Sequence, residues 1–145
     1  MTLYLRLNDV QDYIIMKYTF LLLLMGVAFS KASAQDASKI VIWDSKSIEL
    51  GAIKKGEKIA NSYSFTNISD HPIEIDIVST CECTEAKWTQ GQIAPGANGI
   101  VEFIFDSSQK DHEETIDVDV YFLDADPKTE RPYSSFLSYT FQFKK

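Results

Sequence analysis

The strongest constraint on the fold is an alternation of apolar and polar side chains that recurs along the chain. In residues 73–78, three isoleucines alternate with two acidic residues and a valine. Residues 115–123 alternate in the same way, and residues 133–143 alternate aromatic side chains with Ser, Thr and Gln. Because successive side chains of a β-strand point to opposite faces, this period of two predicts half-buried strands, and it places the isoleucines of residues 73–78 in the core.

Short segments of this kind cover most of the chain, and no stretch carries an apolar stripe with the 3.6-residue period of a helix. The predicted strands are residues 40–43, 47–53, 59–66, 73–78, 85–89, 100–106, 115–123 and 133–143. Seven or eight short strands within about 110 residues match the size and rhythm of an immunoglobulin-like fold. We therefore predict an all-β protein, with a single immunoglobulin-like β-sandwich domain over residues 35–145.

Two of the predicted strands and one loop can be described further. In residues 59–66, the alternation turns Tyr63 and Phe65 inward. Residues 100–106 are largely apolar on both faces, so we expect a central strand that is covered on both sides or by a neighbouring loop. Residues 124–132 should form the hairpin loop between the last two strands, because their Asp-Pro and Arg-Pro steps favour a turn.

The N-terminal segment has the order of a secretory signal peptide. Lys17 precedes an apolar run, residues 18–29, and Ala32 and Ala34 then form an A-x-A cleavage pattern. The run is well short of the roughly 20 residues that span a bilayer as a helix, so we predict no permanent membrane anchor. We expect cleavage after Ala34 and export to the periplasm, the cell envelope or the extracellular space.

Residues 1–15 do not fit this pattern, because Asp9 and Asp12 place acidic groups where a signal peptide is basic. A start at Met16 removes the conflict. We therefore predict that residues 1–34 comprise an upstream segment and a signal peptide, with translation beginning at Met16.

The segment expected to remain after cleavage is acidic. Of the 14 basic and 21 acidic residues, three basic and two acidic ones lie in residues 1–34, which leaves 111 residues with a net charge of −8. Such a surface repels phosphate groups, so binding to nucleic acids and to anionic membranes is disfavoured. The expected partner is an unknown protein or another component of the cell envelope.

Several short motifs follow one another over residues 48–106. They are Leu50-Gly51, Lys55-Gly56-Glu57, Phe65-Thr66-Asn67, Pro72-Ile73-Glu74-Ile75, Thr80-Cys81-Glu82-Cys83-Thr84, Trp88, Ile93-Ala94-Pro95-Gly96 and Val101-Glu102-Phe103. In this order they resemble the bacterial domain-of-unknown-function 1573 family, although that family usually has Gly where this chain has Glu82. The family is similar in outline to the immunoglobulin-like domains of the abnormal-spindle and hydin proteins. The resemblance implies this fold and export, and it implies no catalytic residues because the family has no established activity.

Cys81 and Cys83 are the only cysteines of the chain, and three interpretations of the pair are open. In an extended strand their Cα atoms would lie about 6.6 Å apart, near the long end of disulfide geometry, so a disulfide needs a local kink. The first interpretation is a structural corner, bridged or not. The second is a thiol-redox pair, since a strained disulfide is easily reduced. The third is a soft-metal site, since two thiolates can hold Cu(I).

Beyond this pair, the sequence shows no complete metal or catalytic site. Zinc would need two more ligands, and neither His71 nor His112 has a recognisable spacing to the cysteines. The acidic residues between 111 and 126 lack the Asp-x-Asp-x-Asp-Gly pattern of a calcium loop and are typical of a solvated strand face. Phosphate-binding glycine loops and nucleophile motifs are missing as well, so we predict no enzyme and no cofactor.

Two functional hypotheses follow. The sequence favours an exported, non-catalytic immunoglobulin-like module that binds a protein or an envelope component through its loops or a sheet edge. The alternative is a thiol-redox or Cu(I)-binding protein that uses Cys81 and Cys83. The two hypotheses differ in whether the cysteines shape a corner or react.

Overall fold

The computed structural model describes residues 35–145, which form nine β-strands in two sheets. The strands are β1 (Gln35–Asp36), β2 (Val41–Trp43), β3 (Ser47–Ile53), β4 (Lys58–Asn67), β5 (Ile75–Ser79), β6 (Thr84–Trp88), β7 (Asn98–Asp106), β8 (Thr115–Ala125) and β9 (Pro132–Phe143). Within these residues, no helix has the length and apolar character that crossing a membrane would require. The predicted signal peptide, with its Met16 start and its cleavage after Ala34, lies outside the described residues.

The chain crosses from one sheet to the other and back over strands β1, β2 and β3. The first sheet has the strand order β1–β9–β8–β5, and β3 also pairs with β9. Both β1 and β3 lie parallel to β9, with Gln35 opposite Tyr133 and Ser47 opposite Ser138. The second sheet has the order β2–β4–β7–β6, and all its pairs are antiparallel. Because β2 belongs to the second sheet, the segment from β1 to β3 ties the two sheets together.

Aromatic side chains fill the space between the sheets. Phe103 of β7 stacks on Tyr139 of β9 with ring centres 4.6 Å apart, and Phe105 packs on Phe141 at 4.7 Å. Trp43 of β2 donates a hydrogen bond of 2.9 Å from Nε1 to Oγ of a serine in β9, which satisfies its buried N–H. These contacts join the two sheets in one core.

The predicted all-β sandwich is confirmed, and so is the inward orientation of Tyr63 and Phe65, which are buried. The predicted hairpin loop is confirmed too, since β8 ends at Ala125 and β9 begins at Pro132. Strand β1 was not predicted, because two residues are too few to show a period.

The expectation that every isoleucine of residues 73–78 faces the core is wrong for Ile77. Ile73 and Ile75 are buried, but the register of β5 against β8 shifts between Ile75 and Ile77. The extra residue in β5 at this β-bulge reverses the alternation, so Ile77 is 50% exposed and Val78 is buried instead. Ile77 therefore lies on the outer side of the first sheet.

Strand β7 is central, as predicted, because it pairs with both β4 and β6. The expected cover over its second face is wrong, since Ile100 and Ile104 are 42% and 40% exposed on the outer side. The strands beside Ile104 place Ala60 and Glu85 next to it, and this shields the side chain only in part.

Candidate functional site

The two cysteines lie in a tight turn that leads from β5 in the first sheet to β6 in the second. Thr84 N–H donates a hydrogen bond of 3.0 Å to the carbonyl oxygen of Cys81 and closes the turn. The turn brings the Cα atoms of Cys81 and Cys83 to 5.2 Å, well within the range of disulfides, and the structure joins the two sulfur atoms. The turn supplies the kink that a disulfide at this spacing requires.

Two hydroxyl groups lie beside the disulfide. Oγ1 of Thr84 is 3.4 Å from Sγ of Cys81 and 3.7 Å from Sγ of Cys83, and it also hydrogen-bonds the hydroxyl of Tyr139. Because a disulfide sulfur carries no hydrogen, the Thr84 hydroxyl donates toward sulfur and accepts from Tyr139. Burial raises the pKa of Tyr139 to about 12, so this phenol keeps its proton at neutral pH.

The disulfide borders an open cavity of about 350 Å³. Cys81 lines the cavity, whereas Cys83 is 4% exposed and packs in the core. Lys110 and Glu114 lie in the cavity wall, where the ammonium group of Lys110 contacts the carboxylate of Glu114. The cysteine corner therefore has one cysteine at a cavity and one in the core.

The sequence singles out the cysteines but not the side chains that surround them in the fold. Thr84 directly follows the pair in sequence and could have been considered, because a hydroxyl one residue from a thiol is within reach of it. Tyr139 and the Lys110–Glu114 pair are remote in sequence, and their approach depends on strand pairing and loop path. No local pattern indicates such contacts.

Neither of the histidines considered as metal ligands is among the residues that line the cavity beside Cys81. His71 lies between Asp70 and Asp124, at 2.9 Å and 3.1 Å, and β5 separates it in the chain from the cysteines. Nε2 of His112 lies 3.8 Å from a carboxylate oxygen of Glu114. Across residues 35–145, no three side chains of His, Cys, Asp or Glu converge as metal ligands would.

A second feature is the outer side of the first sheet, which we call the first outer face. It carries Ile77, Leu123 and Phe136, which are 50%, 59% and 58% exposed, together with the half-buried Tyr121. Ile77 lies opposite Tyr121, and Phe136 lies opposite Asp119 in the neighbouring strand. Leu123 follows Tyr121 on the same side of β8, and Phe136 is a diagonal neighbour of Tyr121, so the apolar side chains are grouped around Tyr121 across β5, β8 and β9, with Asp119 beside Phe136.

The charged side chains that β5, β8 and β9 themselves contribute to the first outer face are all acidic. Strands β5, β8 and β9 contain no Lys or Arg, whereas β8 carries Asp117 and Asp119 on the same side as Tyr121. Burial, followed by the negative charge of Asp117, raises the pKa of Asp119 above its usual value. The first outer face is therefore both apolar and acidic.

The outer side of the second sheet, which we call the second outer face, has charges of both signs. Ile100 and Ile104 are separated on it by Glu102, and Glu102 lies opposite Lys87 of β6. Lys87 also lies 3.6 Å from a glutamate carboxylate of its own strand. The second outer face thus resembles an ordinary solvated surface, with its isoleucines set apart by charged groups.

Comparison with solved structures shows which fold the two sheets form. A protein of unknown function from Porphyromonas gingivalis W83 is 16% identical, with a TM-score of 0.57, over 79% of this chain and 51% of that one. The ASH/PapD-like domain 7 of human CEP192 is 12% identical, with a TM-score of 0.58, over 81% of this chain and 94% of that one. The VesB protease of Vibrio cholerae is 15% identical, with a TM-score of 0.59, over 74% of this chain and 33% of that one.

These likenesses show the fold alone, and they confirm the predicted immunoglobulin-like sandwich. The chain spans about half of the Porphyromonas protein and a third of the protease. Among curated proteins, none matches the sequence.

The family is shown by a match of the sequence itself. The family model of DUF1573, described as a protein of unknown function, matches residues 41–133, which is well over half of the chain. The matched range contains the cysteine turn and the strands on either side of it. The chain belongs to the DUF1573 family.

Proposed function

We propose that the chain is an exported, non-catalytic module that binds a partner protein of the cell envelope through its first outer face. The observation that carries this proposal is the exposure of three large apolar side chains, Ile77, Leu123 and Phe136, in one patch of a sheet. Exposed apolar side chains that adjoin one another are typical of contact surfaces, whereas single ones are common anywhere.

The chemistry of the partner follows from the charges of this face. Asp117 and Asp119 flank the apolar patch, and the three strands beneath it contain no basic residue. A surface that combines apolar side chains with Lys or Arg would cover the patch and neutralise the aspartates. A second copy of the chain fits poorly, because two first outer faces would bring their aspartates together.

The fold supports a binding role without assigning one. The sandwich is shared with the PapD-like domain of human CEP192 and, at a TM-score of 0.53 and 11% identity, with the YadV chaperone. One fold can serve many functions, so the proposal depends on the face and its side chains rather than on these relatives.

Export is the second part of the proposal, and it is supported by the signal-peptide pattern before residue 35 and by a disulfide geometry at Cys81 and Cys83. N-terminal sequencing of the protein isolated from the producing cells should begin at Gln35. A protein that begins at Met16 or at Met1 would contradict cleavage after Ala34.

The binding face can be tested with two matched double variants. Leu123→Lys with Phe136→Lys alters the first outer face, and Ile100→Lys with Ile104→Lys makes the same change on the second. Immobilised wild-type and variant proteins are used to capture proteins from the envelope fraction, and quantitative mass spectrometry compares them. We expect at least one protein to be retained by the wild type and the second-face variant and to fall about tenfold or more with the first-face variant. Equal loss from both variants, or no retained protein, would contradict the proposal.

A further inference from the structure

We propose that the disulfide between Cys81 and Cys83 is a redox site that exchanges with an external dithiol, with Cys81 as the sulfur that is attacked and Cys83 as the sulfur that leaves. This goes beyond the proposed binding role and does not depend on it. The two cysteines differ in their surroundings, and two hydroxyl groups lie beside the disulfide.

The attacked sulfur is defined by access. Cys81 lines the open cavity of about 350 Å³, and Cys83 is 4% exposed. A thiolate that enters the cavity therefore meets Cys81, and thiol–disulfide exchange depends on which sulfur can be reached.

The leaving sulfur has a hydrogen-bond donor ready for it. When the disulfide opens, Cys83 becomes a thiolate. In the closed disulfide, the Thr84 hydroxyl oxygen lies 3.7 Å from this sulfur and 3.4 Å from that of Cys81. Thr84 can turn its hydrogen to the thiolate because its oxygen accepts the hydrogen of Tyr139 instead. Hydrogen bonds to a thiolate lower its pKa, and a thiol with a lower pKa leaves faster.

Opening the disulfide leaves the sandwich intact. The disulfide spans two residues in sequence, so it restricts the unfolded chain far less than a long-range bridge. The turn is also closed by the hydrogen bond from Thr84 N–H to the Cys81 carbonyl, which does not involve sulfur. The corner can therefore be reduced without unfolding the protein.

The exchange balances in two steps. The thiolate of the dithiol attacks Sγ of Cys81, a new S–S bond forms, and the Cys81–Cys83 bond breaks with its electron pair on Cys83, which then takes up a proton. The second thiol of the dithiol, as a thiolate, then attacks the sulfur of the dithiol that is bonded to Cys81. This step releases Cys81 as a thiolate, which is protonated in turn. The chain gains two electrons and two protons, and the donor dithiol becomes a disulfide.

The charges at the cavity select among donors. Glu114, Asp117 and Asp119 line it beside Lys110, so acidic groups outnumber the single basic one. An anionic thiol is repelled by these carboxylates, whereas a neutral or cationic one is not. The donor chemistry that fits is therefore a protein dithiol with neutral or basic surroundings.

The test measures how fast the folded protein is reduced. Full-length mature protein is mixed with excess dithiothreitol without denaturant, quenched with an alkylating reagent and analysed by intact mass. We expect reduction to be much faster than global unfolding, and we expect Thr84→Val to slow it about tenfold because the donor to the leaving thiolate is lost. Thr84→Ser, which keeps the hydroxyl, should react within about threefold of the wild type.

A second measurement needs no variant. Reduction rates are measured with 2-mercaptoethanesulfonate, 2-mercaptoethanol and cysteamine and corrected for the thiolate fraction of each. The rates should rise in that order, from the anionic to the cationic thiol. Salt at about 0.5 M should reduce the difference between them, because it screens the charges. Reduction only at the rate of global unfolding, no effect of Thr84→Val, a rate independent of thiol charge, or two free thiols in the exported protein would each overturn the proposal.

Discussion

The two outer faces of the sandwich arise from the same strand alternation but present different surfaces. On the first outer face, Ile77, Leu123 and Phe136 are grouped around the half-buried Tyr121, and the charged residues beside them in β8 are acidic. On the second, Ile100 and Ile104 are separated by Glu102, which has Lys87 opposite it. Because of this difference, we propose the first outer face rather than the second as the contact surface.

The inner side of the second sheet is tightly packed around Gly99. Gly99 in β7 lies on the inner side, and a methyl group added there would overlap the ring of Phe65 and approach Ile93. This tight packing at Gly99 contrasts with the exposed outer side of the first sheet.

The largest predicted effect is on stability, and it is expected for a substitution of Gly99 inside the sandwich rather than of Phe136 on its outer face. Gly99→Ala adds one methyl group to a filled space and should lower the free energy of unfolding by about 1–3 kcal/mol. Phe136→Ala removes an entire ring from the first outer face and should cost less than about 1 kcal/mol, because the ring is mostly exposed. Urea unfolding, monitored by fluorescence, measures the free energy of unfolding of both variants. A larger cost for Phe136→Ala would show that its ring belongs to the core rather than to a contact surface.

A smaller effect concerns the aspartates of the first outer face. Asp117→Asn with Asp119→Asn should weaken binding of the captured partner about fivefold and make the affinity less dependent on salt. The matched control is Glu85→Gln with Glu102→Gln on the second outer face, which should leave the affinity within about twofold. An equal loss from both pairs would contradict a specific role for the first face.

The same aspartates have a predicted pH dependence of stability. Because burial and Asp117 raise the pKa of Asp119 above its unfolded value, the folded state binds more protons than the unfolded state. The ionised Asp119 carboxylate therefore destabilises the folded state at neutral pH. This destabilisation is lost as the pH falls through the folded pKa of Asp119. Asp119→Asn should be more stable than the wild type at pH 7 by about 0.2–0.5 kcal/mol and equal to it at low pH. Denaturant titrations at several pH values measure this difference.

The smallest predicted effect lies at the edge of the first sheet. The hydrogen bond to Asp70, followed by that to Asp124, raises the pKa of His71 above its usual value. The stabilisation by protonated His71 is therefore present below the unfolded pKa of about 6.5 and is lost as the pH rises through the folded pKa. Thermal unfolding should show His71→Gln less stable than the wild type at pH 5.5 and nearly equal to it at pH 8.5. A constant difference at both pH values would contradict a role for the charge.

The sequence predicted those parts of the fold that depend on local alternation. The burial of Tyr63 and Phe65 and the loop before Pro132 follow from side-chain period and turn residues, and both agree with the structure. The exposure of Ile77 could not be predicted, because a bulge in β5 reverses the faces without changing the residue pattern. That reversal adds Ile77 to the apolar patch, so this part of the first outer face cannot be predicted from the sequence.

The cysteine corner was predictable in part for a similar reason. The Cys-x-Cys spacing showed that a disulfide would need a kink, and the structure has a closed turn at this position. The approach of Tyr139 and of the Lys110–Glu114 pair depends on how β9 and the loop before β8 pack, which no local pattern specifies.

The most direct test of the binding face is site-specific photo-crosslinking in cells that export the protein. A photoreactive phenylalanine replaces Phe136 on the first outer face in one strain and Ile104 on the second outer face in another. We predict a crosslinked adduct with one envelope protein from position 136, and none from position 104 at equal expression. Loss of the adduct when Asp117 and Asp119 are both changed to Asn would show that charge contributes. The same adduct from both positions, or an adduct from position 104 alone, would contradict the assignment of the first outer face as the binding surface.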